Sequence, residues 1–359
     1  MEILHVDPER GWGGGEVQVL TLLRELAARG HGSRVAADPR GRLAREVAAA
    51  GLPVEPLPIA NALDVGAGLR LRRLAAGHDV VHFHTARAHA VAPFCRGTGA
   101  RLVVTRRMDY VPRGGPYARW LYNRAVDAVI AISDGVRGAL LRAGVRPDRI
   151  RVVPSGIDPA SVEARPGDRA ATRGRWGVAG DAILVLVLGA LERRKGHAVL
   201  LGAAGRLALE APALRYVFCG DGSERRTLAA MAARLGDRVV FAGFQRDVAA
   251  CLAAADVVAV PSLHEGLGVA ALEAMAAARP VVASRVGGLA EVVVEGETGL
   301  FAAPGDVTSL AAALRTVARN PALRARLGRG GRTRVLTHYT AARMAEGTLA
   351  CYGEAPCAA

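Results

Sequence analysis

A chain of 359 residues, 51% hydrophobic and 22% charged, exceeds what one core commonly organises, so two packed domains are expected and a disordered or fibrous chain is excluded. The net charge of +14 leaves nucleic acid or an anionic membrane surface as partner classes, yet 4% aromatic residues provide little base stacking and the arginines are spread through both halves. Five scattered cysteines, Cys95, Cys219, Cys251, Cys351 and Cys357, include no C-x-x-C pair, which argues against a disulfide framework and a structural zinc site. The densest apolar run, Ala182 to Leu191, is half of the roughly 20 residues a membrane-spanning helix needs. Met1-Glu2-Ile3-Leu4-His5-Val6 has no basic flank or A-x-A site and reads as a buried first strand, which implies a cytoplasmic protein.

Apolar β-branched runs alternate with helical patterns from the first residue, as in parallel sheets covered by helices on both faces. Strands are predicted in the first half at Glu2–Val6, Ser33–Ala36, Val54–Leu57, Asp79–Phe83, Arg101–Thr105, Ala128–Ile132 and Ile150–Val153. The second half repeats the pattern at Ala182–Leu188, Arg215–Cys219, Val239–Ala242, Val257–Val260 and Pro280–Ala283. Between the halves, Pro154-Ser155-Gly156-Ile157-Asp158-Pro159 and the polar stretch through Arg169 read as a hinge. The fold class is therefore α/β, with two doubly wound, Rossmann-like domains facing across a cleft at their strand ends.

The segment after the strand ending at Val260 is the richest in chemistry. Gly266 and Gly268 flank Leu267 and let backbone approach a ligand, while the helix opening there offers free N–H groups to a phosphate. Glu265 precedes that helix and Glu273 lies about two turns along it, two acceptor-only groups suited to sugar hydroxyls. Lys195 is the one lysine among 47 basic residues, which marks a position where a compact ammonium is wanted. Gly11-Trp12-Gly13-Gly14-Gly15-Glu16 and Gly220-Asp221-Gly222-Ser223-Glu224-Arg225 both fail as dinucleotide fingerprints, since neither has glycine at the sixth place.

Glu265 and Glu273 form an E-x7-E pair that resembles the motif of retaining glycosyltransferases of the GT-B superfamily, family 4. Gly189-Ala190-Leu191-Glu192-Arg193-Arg194-Lys195-Gly196 resembles that family's G-R-L-x-x-x-K-G loop. Gly220-Asp221-Gly222-Ser223-Glu224 is similar to its G-x-G-x-E turn, and Val152 to Asp158 to its interdomain V-x-P-x-G-I-D. Gly287-Gly288-Leu289 to Glu291, then Gly296 and Gly299, match the stretch after the E-x7-E helix. The resemblance implies an acceptor-binding domain over 1–158, a nucleotide-sugar-binding domain over 159–335, and a C-terminal helix over 336–359 returning to the first domain. It implies that Glu265 holds hydroxyls of the donor hexose, Glu273 the ribose, and Lys195 the diphosphate. Ala190 stands where the family has arginine, so Arg193 or Arg194 supplies that charge. Gly189, Gly220, Gly266, Leu267 and Gly268 line the donor, and Gly243-Phe244-Gln245 meets the base through its backbone.

On the acceptor side the resemblance places Gly14, Gly15 and Glu16 near the transferring phosphates and His84 in the site. One of His82 and His84 is expected to point inward by strand alternation. Arg106 and Arg107 end a strand where relatives carry histidine, which suggests an anionic acceptor. Transfer is expected with retention, from a nucleotide-diphosphate sugar to a glycan or lipid-linked acceptor of the cell envelope. No cofactor is expected, and the missing D-x-D motif gives no reason for a metal. Leu69-Arg70-Leu71-Arg72-Arg73-Leu74 with Arg101, Arg106, Arg107 and Arg113 suggests peripheral association with the anionic inner face of the cytoplasmic membrane. The rival readings are a sugar-nucleotide epimerase of the same architecture and an arginine-rich nucleic-acid binder.

Overall fold

The computed structural model describes residues 1–112 and 115–353. The chain forms two compact units, one from residues 1–156 with the chain from Ala341 onward, the other from Ile157 to Thr340. In the first unit β1 (Glu2–Asp7), β2 (Gly32–Ala37), β3 (Val54–Pro56), β4 (Val80–Phe83), β5 (Arg101–Arg106), β6 (Ala128–Ala131) and β7 (Ile150–Val152) make a parallel sheet in the order β3-β2-β1-β4-β5-β6-β7. In the second, β8 (Ile183–Leu188), β9 (Leu214–Cys219), β10 (Val239–Gly243), β11 (Val257–Val260), β12 (Val281–Ser284) and β13 (Gly299–Ala302) run in the order β10-β9-β8-β11-β12-β13.

Every predicted strand is present, with no end moved by more than one residue. β13 escapes the sequence reading because a four-residue run opening on glycine at a sheet edge carries too little apolar pattern. Both sheets reverse direction of winding once, between β1 and β4 and between β8 and β11. At such a switch point the loops leave in opposite directions and open a crevice at the strands' carboxyl ends.

The core follows from the continuous apolar runs. Ile183-Leu184-Val185-Leu186-Val187-Leu188 is covered on both faces, as a central parallel strand requires. In the first unit Met344, Leu349 and Tyr352 of the helix Ala341–Tyr352 pack with Ile3, Leu22, Leu26 and Val80. The preceding helix, Pro321–His338, belongs to the second unit, so the chain changes unit at residue 341, five residues beyond the expected 336. The first change falls between Gly156 and Ile157.

Residues 159–169, expected as part of the hinge, belong to the second unit, as does the helix Asp168–Arg175 that follows. Arg173, 4% exposed, donates to Asp256 Oδ2 at 3.0 Å and to the Ala182 carbonyl at 2.6 Å, and Arg169 reaches Asp256 Oδ1 at 2.7 Å. Asp256 also accepts the Leu184 N–H at 2.8 Å, which ties the helix Asp168–Arg175 to β8. Removing one partner of such a buried pair commonly costs about 3–5 kcal/mol, because the other charge is left without compensation. Cys95, Cys219, Cys251 and Cys351 are free and buried; Cys357 lies outside the described residues.

Candidate donor and acceptor sites

The cluster around Lys195 and Glu265 is built by glycine-permitted backbone packing at the β8/β11 switch. Gly189 follows β8, and its carbonyl lies only 1.9 Å from where a Cβ on Gly220 would sit, so the loops after β8 and β9 press together. Leu191 N–H to Asp221 O at 3.0 Å and Glu224 N–H to Leu191 O at 2.9 Å lock that contact. Gly196, at φ +67°, comes equally close to the Pro261 carbonyl, and Leu263 N–H donates to Arg194 O at 2.7 Å. These approaches lay the lysine loop on the loop after β11.

The consequence is electrostatic. Lys195 Nζ donates to Glu265 Oε2 at 2.6 Å, and Ser262 Oγ donates to the same oxygen at 3.1 Å. Glu265 is 8% exposed, so those donors stand in for the water it gives up. The helix Val269–Ala276 starts at Gly268, which provides no side-chain cap, and its first N–H groups remain available to an anion. Glu273, on that helix, has its carboxyl pushed up to about 7 by burial, with Lys195 pulling it down. Lys195 thus acts on both carboxylates of the E-x7-E pair. Gly266, Leu267 and Gly268 line the turn between them.

The two candidates to replace the charge missing at Ala190 behave differently. Arg194 Nε is held by Glu192 Oε2 at 2.7 Å, while Arg193 is exposed. At the end of β10, Gly243 accepts the Gly220 N–H at 2.8 Å and Phe244 N–H donates to Asp221 Oδ2 at 2.9 Å, which fixes a loop whose Phe244 ring is 43% exposed.

In the first unit, Gly13 caps the helix Gly14–Ala28, and Glu16 reaches back to the Gly13 N–H at 2.7 Å. Arg107 runs over Gly15, its Cδ 3.6 Å from the place a Cβ on that glycine would take. Asp7, at the end of β1, was not singled out by the sequence, although an aspartate closing a first strand is a readable signal. It is 1% exposed, its Oδ1 accepts the Glu9 N–H at 3.1 Å, and its carboxyl is pushed up to about 7, by burial first and by Glu16 second, with Arg107 opposing. Burial likewise raises Glu16 and lowers Arg107.

His82 and His84 are both buried, contrary to the expected alternation: residues two apart on a strand share a face. His84 Nε2 meets His5 Nδ1 at 3.0 Å, and His82 bridges Tyr352 OH at 2.6 Å and Thr105 Oγ1 at 2.7 Å. Desolvation holds all three imidazoles below the usual histidine range, so they are neutral at pH 7. Their ring nitrogens approach within 4.8 Å of one another, the one such grouping among the described residues. Two of the three are committed to each other, and half-buried Arg107 opposes a cation there. Arg106 is buried too, donating to the Tyr110 carbonyl at 3.2 Å with its guanidinium 4.8 Å from the Tyr110 ring centre.

Residues 168–334 match the family Glycosyl transferases group 1, and residues 12–161 match Glycosyltransferase Family 4. The chain belongs to this family of GT-B glycosyltransferases. It is 35% identical over 291 residues to the D-inositol 3-phosphate glycosyltransferase of Stackebrandtia nassauensis, a match spanning 77% of this chain and 60% of that relative. To the alpha-maltose-1-phosphate synthase of Mycolicibacterium smegmatis it is 34% identical over 263 residues, 67% of each chain. The solved structure of Anabaena Alr3699/HepE in complex with UDP and glucose superposes with a TM-score of 0.89 at 25% identity, covering 99% of this chain and 100% of that one.

The raised Glu273 carboxyl carries a sign for stability. Folded Glu273 holds its proton to about pH 7 and the unfolded side chain only to about 4.5, so stability is lost as pH rises through that window. Glu273→Gln is expected to stabilise the protein at pH 8, by up to on the order of 3 kcal/mol less the cost of burying the amide, and to give no gain at pH 4.5. Urea denaturation at the two pH values checks this, and an equal effect at both removes the assignment.

Proposed function

We propose that this protein transfers a hexose-type sugar from a nucleoside-diphosphate donor to an acceptor hydroxyl with retention at the anomeric carbon. The observation that carries the reading is the Lys195–Glu265 contact at 2.6 Å, set beside an uncapped helix N-terminus. Such a pair offers an anion site and a hydroxyl acceptor within one side-chain length. Lys195 turns from Glu265 to the diphosphate when donor binds, Glu265 is released to accept hexose hydroxyls, and Glu273 accepts those of the ribose. The Anabaena relative, solved with UDP and glucose and with UDP-glucose, supports a UDP-linked donor.

Chemistry on this reading is front-side substitution. The leaving diphosphate takes the acceptor proton, and Lys195 with the helix N–H groups stabilises the negative charge that develops on it. Because those groups meet the charge, transfer proceeds without a divalent ion and without a cofactor. An epimerase of the same architecture alters labelled nucleotide sugar incubated alone, whereas a transferase returns it or slowly hydrolyses it.

Lys195→Met is expected to lower kcat by about 100- to 1,000-fold, the usual consequence of removing one group that stabilises transition-state charge. Lys195→Arg should also fall well short, since a planar guanidinium does not replace a compact ammonium between a phosphate and Glu265. Steady-state kinetics with UDP-glucose decide: near wild-type kcat and KM in both variants would mean the lysine is incidental.

Product NMR is expected to show the α-anomer from an α-linked donor, with turnover unchanged by a chelator. An inverted product, or activity lost to chelator and restored by magnesium or manganese, overturns the corresponding half.

We further propose a peripheral position at the anionic cytoplasmic face of a membrane, where a lipid-linked acceptor is met. Among the described residues no helix is long and apolar enough to cross a bilayer. Of the basic face read from sequence, Arg106 is buried, Arg107 is half-buried and Arg113 lies outside the described residues. In their place the first unit exposes Leu63, Val65, Leu69, Tyr110, Val111, Tyr117 and Trp120, with a groove of about 240 Å3 among Leu63, Val65, Phe94, Tyr117 and Trp120. Exposed Arg70, Arg73, Arg96 and Arg119 belong to the same stretches of chain. Apolar and aromatic side chains with arginines suit a headgroup boundary, at about 1 kcal/mol per arginine. Flotation with phosphatidylglycerol liposomes at low salt should carry the protein up, and Trp120→Ala with Leu63→Ala should reduce it; absence of flotation removes the membrane reading.

A further inference from the structure

The transfer chemistry makes no use of the buried imidazoles of β1 and β4, and their hydrogen bonding leaves no place for a further proton. His5 Nδ1 and His84 Nε2 share one hydrogen at 3.0 Å. A neutral imidazole carries one hydrogen, so the outer nitrogens of the pair, His5 Nε2 and His84 Nδ1, are one N–H and one lone pair. Both are buried without a partner among the described residues. An added proton turns the lone pair into a second unpaired N–H, on a cationic ring that is at most 2% exposed.

His82 completes the cluster, its ring centre 4.0 Å from that of His84 and 5.7 Å from that of His5. Its nitrogens meet the hydroxyls of Tyr352 and Thr105, which accept as readily as they donate, so the obstacle to a charge here is electrostatic. A cavity of about 10 Å3 beside it, lined also by Thr105, Arg107, Ser155 and Thr348, has room for about one water, too little to hydrate an imidazolium. The groups acting on the cluster are its own members, His89 on the helix Ala86–Val91, and Arg107 after β5, and all of them oppose a further positive charge. Cys351 and Tyr352 of the last helix are held neutral by burial. Two carboxylates, Asp7 of β1 and Glu16 of the helix Gly14–Ala28, act on Arg107 and not on the imidazoles, and Glu9 acts in turn on both.

The element covering the cluster is the end of the last helix. Tyr352 stands edge-on to His82, 5.5 Å between ring centres, and Arg101 Nε donates to the Cys351 carbonyl at 2.8 Å. These contacts pin residues 349–352 to β4 and β5, and a terminal turn is the part of a folded unit that opens at least cost. We propose that the three imidazoles and the helical turn over them form an acid-sensitive latch: mild acid drives residues 349–352 off the sheet, because the cluster takes up protons only when water reaches it.

Open imidazoles bind protons below about pH 6.5 and closed ones do not, so closure is complete above that value and is lost as pH falls. Asp7, held up at about 7 in the closed state, and Glu16, also raised, work the other way. Three histidines exceed two carboxylates by one proton, which favours opening by about tenfold per pH unit. In the second unit one buried histidine, His197, stands against Glu273, and no such bias arises.

Hydrogen exchange of the full chain, read by mass spectrometry from pH 7.5 to 5.5 and corrected for the intrinsic pH dependence of amide exchange, tests the latch. Peptides covering 349–352 are expected to lose protection about tenfold per pH unit below pH 6.5, while those of β8 and β11 keep theirs. Tyr352→Phe, which keeps the ring and removes the hydroxyl, should raise exchange of the same peptides about tenfold at every pH. Carbon NMR of labelled histidine rings should show His5, His82 and His84 neutral across this range in the closed protein. Imidazoles that titrate near pH 6.5 with the turn still protected overturn the latch. So does protection of 349–352 that is independent of pH, unmoved by Tyr352→Phe, or lost equally in the second unit.

Discussion

The Lys195–Glu265 contact is the interaction on which the cluster at the β8/β11 switch depends, and it exists because Gly196 permits a close backbone approach. A Cβ at that position would lie 1.9 Å from the Pro261 carbonyl, so any other residue drives the lysine loop off the loop after β11. With the loops apart, Glu265 would be a nearly buried carboxylate without its cation, and Glu273 would lose the one charge that moderates its desolvation. One steric allowance thus sets the surroundings of two carboxylates.

The second constraint is topological. Both sheets are parallel, so every strand delivers its carboxyl end to the same side, and each sheet changes winding direction once. Lys195 follows β8 and Glu265 follows β11, the two strands flanking one switch; Asp7 and His84 flank the other. Polar residues cluster there because loops that diverge leave backbone and side-chain groups without partners, and elsewhere the apolar strands exclude them.

Arginine plays several physical roles in this chain, and its net charge is a poor guide to them. Arg173 is a buried structural clamp, Arg106 stacks on Tyr110, Arg107 is balanced against Asp7 and Glu16, and Arg194 is tied to Glu192. A formal charge of +14 counts these alike with the solvated arginines. What a partner meets is the exposed remainder, which on the first unit accompanies uncovered tryptophan, tyrosine and leucine.

Sequence alone determined the α/β class, twelve of the thirteen strands and the E-x7-E, lysine-loop and glycine-turn motifs, because strand patterning and glycine spacing are local properties. β13 was not legible, being short, glycine-led and held by its neighbour β12. Tertiary structure decided the rest. The chain returns to its first unit at residue 341, since which core a terminal helix joins depends on Met344, Leu349 and Tyr352 meeting Ile3 and Val80, residues more than 250 positions away. Whether Arg107 faces an anionic ligand or two carboxylates depends on where β1 and the helix Gly14–Ala28 lie beside the end of β5. The surroundings of Asp7 arise in the same way: the charged groups around this buried carboxyl come from segments about a hundred residues apart, and no local pattern records their meeting.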